Sequence, residues 1–426
     1  MMEKKERNIP EIMAPAGCFE CLTAAIQGGA GSVYFGVENL NMRSHSANNF
    51  LLSDLPEIVR ICSENGVRSY LTLNITLYDE DLEHAYRTLD AALEAGVSAV
   101  IASDMAVIMY ARQIGLEVHI STQLSVSNIE SLRFYSQFAD VIVLARELNM
   151  GQVKRISETI RKENICGPSG RRVQIEMFCH GALCMAVSGK CYLSLHDNGH
   201  SANRGSCMQM CRRGYEVTDL ETGNKMVIDN KYIMSPKDLC TIEFLDVIMD
   251  AGVSVLKIEG RARSAEYVKT VVEAYREGVD AVCAGTYTDR LKETLKTRLA
   301  TVFNRGFWDG YYQGARLGEW CNIYGNSATT RKQYIGKVNN YFSNIGVAEI
   351  KVEACPIAVG EHMMIIGPTT GVLEFDIPEI RVDLTPVQTA QQGVACSIPV
   401  PQKLRRADKV FIVRKVPIPK YGEIIR

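Results

Sequence analysis

From residue 11 one unit recurs along the chain: a short apolar strand, a polar turn, an amphipathic helix and then a glycine. Strands are predicted at 11–14, 32–36, 69–75, 97–102, 117–121, 141–145, 173–179 and 253–258. Helices are predicted at 21–27, 55–65, 82–95, ahead of Gly115, at 129–138, 153–161 and 265–282. A glycine there gives the left-handed residue that ends a helix without a Cβ penalty, and Gly28, Gly66, Gly96 and Gly115 occupy such places. The strands are continuous apolar runs, as a parallel sheet covered on both faces requires. Eight such units in about 270 residues predict an α/β fold, a (β/α)8 TIM-like barrel. A doubly wound sheet is the rival, weakened because no Gly-x-Gly-x-x-Gly follows the first strand.

The seventh unit is interrupted. Between the strand at 173–179 and the next expected helix lie about 55 residues. They read as loop plus a hairpin, 214–219 with 225–229, turning through Glu221-Thr222-Gly223-Asn224. Ser235-Pro236 has the residues of an N-cap and first helical position, which predicts a helix carrying Cys240 in its first turns. An insertion after a barrel strand emerges at the C-terminal face, where chemistry is placed in this architecture. Beyond about residue 330 the texture changes to short β-type runs at 334–338, 346–352, 363–366, 372–377, 393–398 and 409–414, which suit a small C-terminal antiparallel β-barrel. The division expected is therefore a TIM-like barrel over 10–330, with a cysteine-rich insertion at 180–240, and a small β-barrel over 331–426. The final stretch carries Lys403, Arg405, Arg406, Lys409, Arg414, Lys415, Lys420 and Arg426 against Asp408 and Glu423. It reads either as a solvated edge or as a phosphate-contacting face.

Composition enters through the cysteines. With 46% hydrophobic and 23% charged residues and a net charge of −2, the chain is ordinary for a soluble protein. No apolar run approaches the roughly 20 residues of a membrane span. The charged opening, Met-Met-Glu-Lys-Lys-Glu-Arg, lacks a signal-peptide apolar region, so a cytoplasmic protein with reduced thiols is expected. Six of the 14 cysteines, Cys179, Cys184, Cys191, Cys207, Cys211 and Cys240, fall in about a seventh of the length. Reduced thiols so clustered leave three readings: an iron–sulfur cluster, zinc, or structural thiols. Only Cys207 and Cys211 have the close spacing of a zinc module. Cys179 and His180, as neighbours on a strand, should point to opposite faces and make a poor nucleophile–base pair. His-Glu-x-x-His and Gly-x-Ser-x-Gly are both missing from the sequence.

Polar residues gather at the predicted strand ends: Asn41-Met42-Arg43, Asn74, Ser121-Thr122-Gln123, Arg146-Glu147, and Lys257, Glu259, Arg261 and Arg263. In a barrel these converge on one mouth. Several arginines with Gln and Asn suit a small polycarboxylate or a phosphate; the bland alternative is structural salt bridging, such as Arg146 with Glu259. Arg43, Glu259 and Arg261 are the candidate catalytic residues. Asn41, Gln123, Arg146, Lys257 and Arg263 are the candidate substrate-binding residues.

The segments Met13-Ala14-Pro15-Ala16-Gly17, Val33-Tyr34-Phe35-Gly36, Leu40-Asn41-Met42-Arg43, Leu144-Ala145-Arg146-Glu147-Leu148, His180-Gly181-Ala182-Leu183-Cys184, Ser188-Gly189-Lys190-Cys191, Asn203-Arg204-Gly205-Ser206-Cys207, Ser235-Pro236-Lys237-Asp238-Leu239-Cys240 and Lys257-Ile258-Glu259-Gly260-Arg261 resemble the collagenase-like proteins, unassigned peptidase family thirty-two. The resemblance covers about residues 10–310. Some members are described as collagenases. Others are oxygen-independent hydroxylation proteins acting on tRNA wobble uridine, on ribosomal RNA cytidine or in quinone synthesis. Length and the appended domain make the chain most similar to the tRNA type. For that type the resemblance implies tRNA as partner, 5-hydroxyuridine as product, prephenate as co-substrate and a 4Fe-4S cluster. Carried over by motif, the cluster's ligands are Cys184, Cys191, Cys207 and Cys240, with Cys211 as an extra cysteine; the resemblance does not decide between Cys207 and Cys211. Whether the chain works with a paralogue or as a homo-oligomer stays open, as does a non-catalytic RNA-binding role.

Overall fold

The computed structural model describes residues 9–45, 49–213, 215–228, 234–314, 318–321 and 325–417. Eight parallel strands close into a ring: β1 (Glu11–Pro15), β2 (Ser32–Phe35), β3 (Arg68–Leu73), β4 (Ala99–Ala102), β5 (Val118–Ile120), β6 (Val141–Val143), β7 (Gln174–Gly181) and, after three further strands, β11 (Val255–Ile258). Each pairs with the next, and β11 pairs with both β7 and β1, which shuts the barrel. The helices α1 (Phe19–Gln27), α2 (Leu55–Glu64), α3 (Leu82–Ala95), α4 (Met105–Ile114), α5 (Ile129–Ser136) and α6 (Met150–Glu163) fill the returns between consecutive strands. Gly96 and Gly115 end α3 and α4 at φ of 83° and 84°, the left-handed stops the sequence predicts.

The period-2 geometry of a strand separates two cores. Ile12, Ala14, Val33, Phe35, Leu71 and Leu73 face the helices in one large cluster. Met13, Tyr34, Tyr70, Ala99, Ile101, Val141 and Val255, the alternate positions, form a separate cluster inside the ring. Burial on both faces is why these strands read as unbroken apolar runs.

The break after β7 holds a short helix α7 (Leu193–Asn198), the hairpin β8 (Tyr215–Thr218) and β9 (Lys225–Ile228), and then β10 (Asp238–Cys240). The hairpin is where the sequence puts it, though its outer residues Gly214 and Asp229 lie outside the described residues. The helix expected from Ser235 does not form. Residues 238–240 are a strand, antiparallel to the end of β7 and parallel to β12 (Phe307–Trp308). A Ser-Pro helix start is worth about 1 kcal/mol. Full burial of the Leu239 side chain alone is worth roughly 2 kcal/mol, and all three residues of β10 are buried. Tertiary pairing therefore outweighs the local signal. The helix of this unit, α8 (Leu245–Asp250), starts later and is short; α9 (Ala265–Ala284) and α10 (Asp289–Leu299) complete the layer.

Residues 330–415 form an eight-stranded antiparallel sheet, with its long strands at Thr330–Phe342, Val347–Val352, His362–Gly367, Gly371–Asp376, Ala395–Pro399 and Lys409–Lys415. It has its own core, including Ile335, Ile350, Ile365, Ile398 and Val410. Met364, Ile366 and Val372 on its other side join the barrel's helix layer. Gln27 of α1 stitches the two parts: its Nε2 donates to the Thr370 carbonyl at 2.8 Å and its Oε1 accepts from the Val372 amide at 2.9 Å. Lys403, Arg405, Arg406, Lys409, Arg414 and Lys415 are all exposed, and Arg414 pairs with Glu361 at 3.1 Å; Lys420 and Arg426 lie outside the described residues. Among the described residues no helix is long and apolar enough to cross a membrane.

Candidate functional site: a cation-lined mouth under a cysteine-rich cover

The insertion after β7 is tied across the C-terminal ends of the strands. Asn203 and Arg204 reach the loop after β3: the Thr76 amide donates to the Asn203 carbonyl at 3.0 Å, and Arg204 bonds Asp81 at 2.7 Å while its guanidinium lies 3.9 Å from the Tyr78 ring. Gly189, at φ 73°, lies against Gln123 of the loop after β5, so closely that a Cβ would overlap the glutamine side chain. Gly205, at φ 87°, lies as closely against Asn41 and Ser44 of the loop after β2. Glycine serves twice here, by conformation and by the lack of a side chain. Arg212 closes the base of the insertion, donating to Ser235 Oγ at 2.8 Å and to the Leu183 carbonyl at 2.9 Å.

Between cover and barrel lies a cavity of about 220 Å³. Arg43, Arg146, Arg212, Lys257, Arg261, Arg263 and Arg305 line it, against a single carboxylate, Glu259, with Phe178, Met42 and Met210 among its apolar walls. Glu259 accepts from Arg43 at 2.7 Å and 3.2 Å, and from the Tyr34 hydroxyl at 3.3 Å. Burial pushes the Glu259 pKa up, but Arg43, Arg146 and Arg261 outweigh it and bring the group down to about 2. It is a fixed anion at neutral pH, suited to orienting arginines or accepting a proton and unsuited to donating one. Arg43 is correspondingly raised by Glu259, with Cys207 near enough to contribute. Burial lowers Arg261 to about 10; its Nη1 meets Thr72 Oγ1 at 3.1 Å. Arg263 lies 3.5 Å over the Phe303 ring and is lowered by burial.

The other expected site residues divide. Gln123 lines the cavity and accepts from Ser121 and, at 3.4 Å, from Asn74. Arg146 lines it too, stacked 3.9 Å over Phe178 and bonded to the Ala182 carbonyl at 3.2 Å, with its Nε buried and unbonded. The salt bridge considered for Arg146 with Glu259 is made by Arg43 instead. Lys257 is at the floor but is neutralised by Glu176 at 2.7 Å, both essentially buried. Asn41 does not line the cavity: its amide bonds Val37, Glu38 and Asn49, and its Oδ1 accepts from the Arg43 amide at 3.0 Å, so it shapes the loop that carries Arg43. Arg305, which bonds Asp238 at 3.3 Å, carries no signal in the sequence, because it lies in the irregular segment before β12.

Cys184, Cys191, Cys207 and Cys211 all line the cavity. Cys191 is raised by burial, with Cys184 and Cys207 adding to it; Cys211 is pushed up to about 11 by burial, with Cys184, Cys207 and Cys191 adding. Cys240, which the resemblance places among the cluster's ligands, does not line the cavity. Its place on β10, opposite His180, turns it into the barrel wall, where burial pushes it up to about 11 beside Tyr275. Cys179 is likewise buried and raised, and His180 is lowered to about 3 by burial, which leaves it a neutral core residue. Among the described residues no three Cys, His, Asp or Glu side chains stand close enough for a single metal ion. A four-iron cluster asks for something different: four thiolates around a cube, drawn from separate segments. Four thiols from separate parts of the loop, facing one cavity, are the donor type such a group takes.

The model of Peptidase family U32 matches residues 17–322. A protein named "Collagenase" from Porphyromonas gingivalis is 58% identical over 94% of this chain and 97% of its own. "tRNA hydroxylation protein P1" of Bacillus subtilis is 34% identical over 78% of each chain. "23S rRNA 5-hydroxycytidine C2501 synthase" of Escherichia coli is 34% identical over 72% of this chain and 46% of its own. A barrel of this build, matched by the family's model over most of its length, belongs to peptidase family U32.

Proposed function

We propose that this chain is an RNA-modifying enzyme that hydroxylates a pyrimidine base, specifically the wobble uridine of tRNA to 5-hydroxyuridine, with prephenate as co-substrate and a 4Fe-4S cluster. The observation that carries the reading is the cavity: seven cations and one carboxylate beneath four thiols, at the mouth of a barrel. Relatives whose names state RNA hydroxylation support the choice of substrate class. Cys184, Cys191, Cys207 and Cys211 would hold the cluster, which supplies electron transfer when bound. The dianionic co-substrate needs neighbouring cations that are not already neutralised; Arg146, Arg261 and Arg263, which among the described residues have no carboxylate at bonding distance and, unlike Arg212, do not close the base of the insertion, are the ones that bind it. Arg43 and Glu259 act as a pair: Glu259, ionised throughout the neutral range, fixes the guanidinium and is the acceptor available for a proton. The exposed basic edge at Lys403, Arg405 and Arg406 contacts RNA phosphates.

The test is nucleoside mass spectrometry of tRNA from a strain lacking this gene and any paralogues. Loss of 5-hydroxyuridine and its derivatives is expected; undiminished levels overturn the reading. A peptidase is the second reading, favoured by the name of the 58% identical relative. Against it, His180 is enclosed and neutral and Cys179 faces the core. Gelatin cleavage by the pure protein, abolished by one named substitution at the mouth, would establish it.

A further inference from the structure

Two cysteines outside the cover have no part in the chemistry above. Cys18 is the N-cap of α1, and Cys21 lies three residues on, on its buried side. Their sulfurs are 3.4 Å apart. Cys18 is partly exposed, whereas Cys21 is 2% exposed. Because α1 follows β1 directly, the pair stands at the same end of the barrel as the cation-lined cavity. The Cys21 sulfur also lies 3.5 Å from the backbone carbonyl oxygen of Arg263, whose guanidinium lines that cavity.

The two thiols are unequal. Hydrogen bonding from Cys21 pulls Cys18 below its ordinary value in spite of burial, while Cys18 and burial together push Cys21 up. An accessible, thiolate-prone cysteine at a helix N-terminus, in contact with a buried, protonated one three residues further along, is the division of labour that dithiol exchange requires. A metal would need further ligands, and among the described residues no third His, Cys, Asp or Glu completes such a group.

We propose that Cys18 and Cys21 form a redox-active dithiol that exchanges with external disulfides at the rim of the barrel mouth. The Cys18 thiolate attacks one sulfur of a disulfide R–S–S–R, forming a Cys18–S–S–R bond and expelling the first thiolate. Cys21 gives up its proton and attacks the Cys18 sulfur; the Cys18–Cys21 bond forms and the second thiolate leaves. The dithiol loses two electrons, the partner disulfide gains them, and the two cysteine protons end on the two released thiols. Cys21 needs no solvent access for its part, since its target is the sulfur it already touches.

Residues 8–43 form one tryptic peptide containing Cys18 and Cys21 and no other cysteine. The full-length protein is equilibrated anaerobically across a series of glutathione to glutathione disulfide ratios, quenched in acid, alkylated with N-ethylmaleimide and mapped by mass spectrometry. The expected result is a single two-electron transition from a doubly alkylated peptide to one that carries no alkyl group and has lost two hydrogens. Cys21→Ala should accumulate glutathione on Cys18, and Cys18→Ser should abolish both products. In the wild type, alkylation of Cys18 at neutral pH should be several-fold faster than that of the exposed Cys283. A peptide that stays doubly alkylated at every ratio overturns the proposal, as does glutathione accumulating on Cys21 in Cys18→Ser. The wild-type transition is decisive even if a variant fails to fold.

Discussion

Replacing Glu259 by Gln tests whether the mouth is held together electrostatically. Glu259 is only 15% exposed, and the surrounding arginines take it from an ordinary value of 4.5 to about 2. By linkage that drop corresponds to roughly 3 kcal/mol of stability in the ionised state. The pKa is depressed in the folded protein, so the contribution is fully present above about pH 4.5 and is lost as pH falls toward 2. Gln keeps the shape and removes the charge, leaving the half-buried Arg43 without its partner. A surface pair would cost at most about 1 kcal/mol, so the size of the effect separates the two cases. The chain's two tryptophans, Trp308 and Trp320, lie at the barrel end of the chain, ahead of the C-terminal sheet, so urea unfolding followed by their fluorescence reports the barrel. At neutral pH the variant should be less stable by about 3 kcal/mol, and below about pH 4.5 the gap should narrow by about 1.4 kcal/mol per pH unit. A gap under about 1 kcal/mol, or one independent of pH, refutes the reasoning.

Other substitutions probe separate parts. After anaerobic reconstitution, Cys211→Ser should lose bound iron and sulfide while Cys240→Ser keeps them; the reverse result would restore the ligand set expected from sequence. Lys257→Met strands the buried Glu176 charge and should cost about 3–5 kcal/mol, and adding Glu176→Gln should recover most of that loss in the same urea assay. Gln27→Ala removes two hydrogen bonds between α1 and the C-terminal sheet, worth about 1–3 kcal/mol together; limited proteolysis should then release the C-terminal part sooner, and an unchanged digestion rate would show that the apolar contacts suffice.

Much of the barrel was legible because each unit carries its own instructions. Apolar runs, helical periodicity and a terminal glycine are local signals, and here they agree with the tertiary fold from β1 to β7 and again at β11 and α9. Ser235-Pro236 misled because a cap is read over a few residues while strand pairing is decided by partners more than fifty residues away, β7 on one side and β12 on the other. The same pairing places Cys240 in the barrel wall, while Cys211, on the insertion, lines the cavity. The Cys18-Phe19-Glu20-Cys21 spacing after the first strand is also a local signal, less conspicuous than the denser cysteines of the insertion.

The sequence by itself determined the ring of strands, the position of the insertion on its C-terminal rim and the residue types gathered there, since all of these follow from periodicity and from which end of a strand a loop leaves. Only the tertiary structure decided which side chains meet. Arg43 rather than Arg146 took Glu259, Asn41 turned inward to hold its loop, and Lys257 was neutralised from the neighbouring strand. The reason is physical: a charge or thiol finds its partner across space, among groups far apart in the chain, and no local pattern encodes that distance.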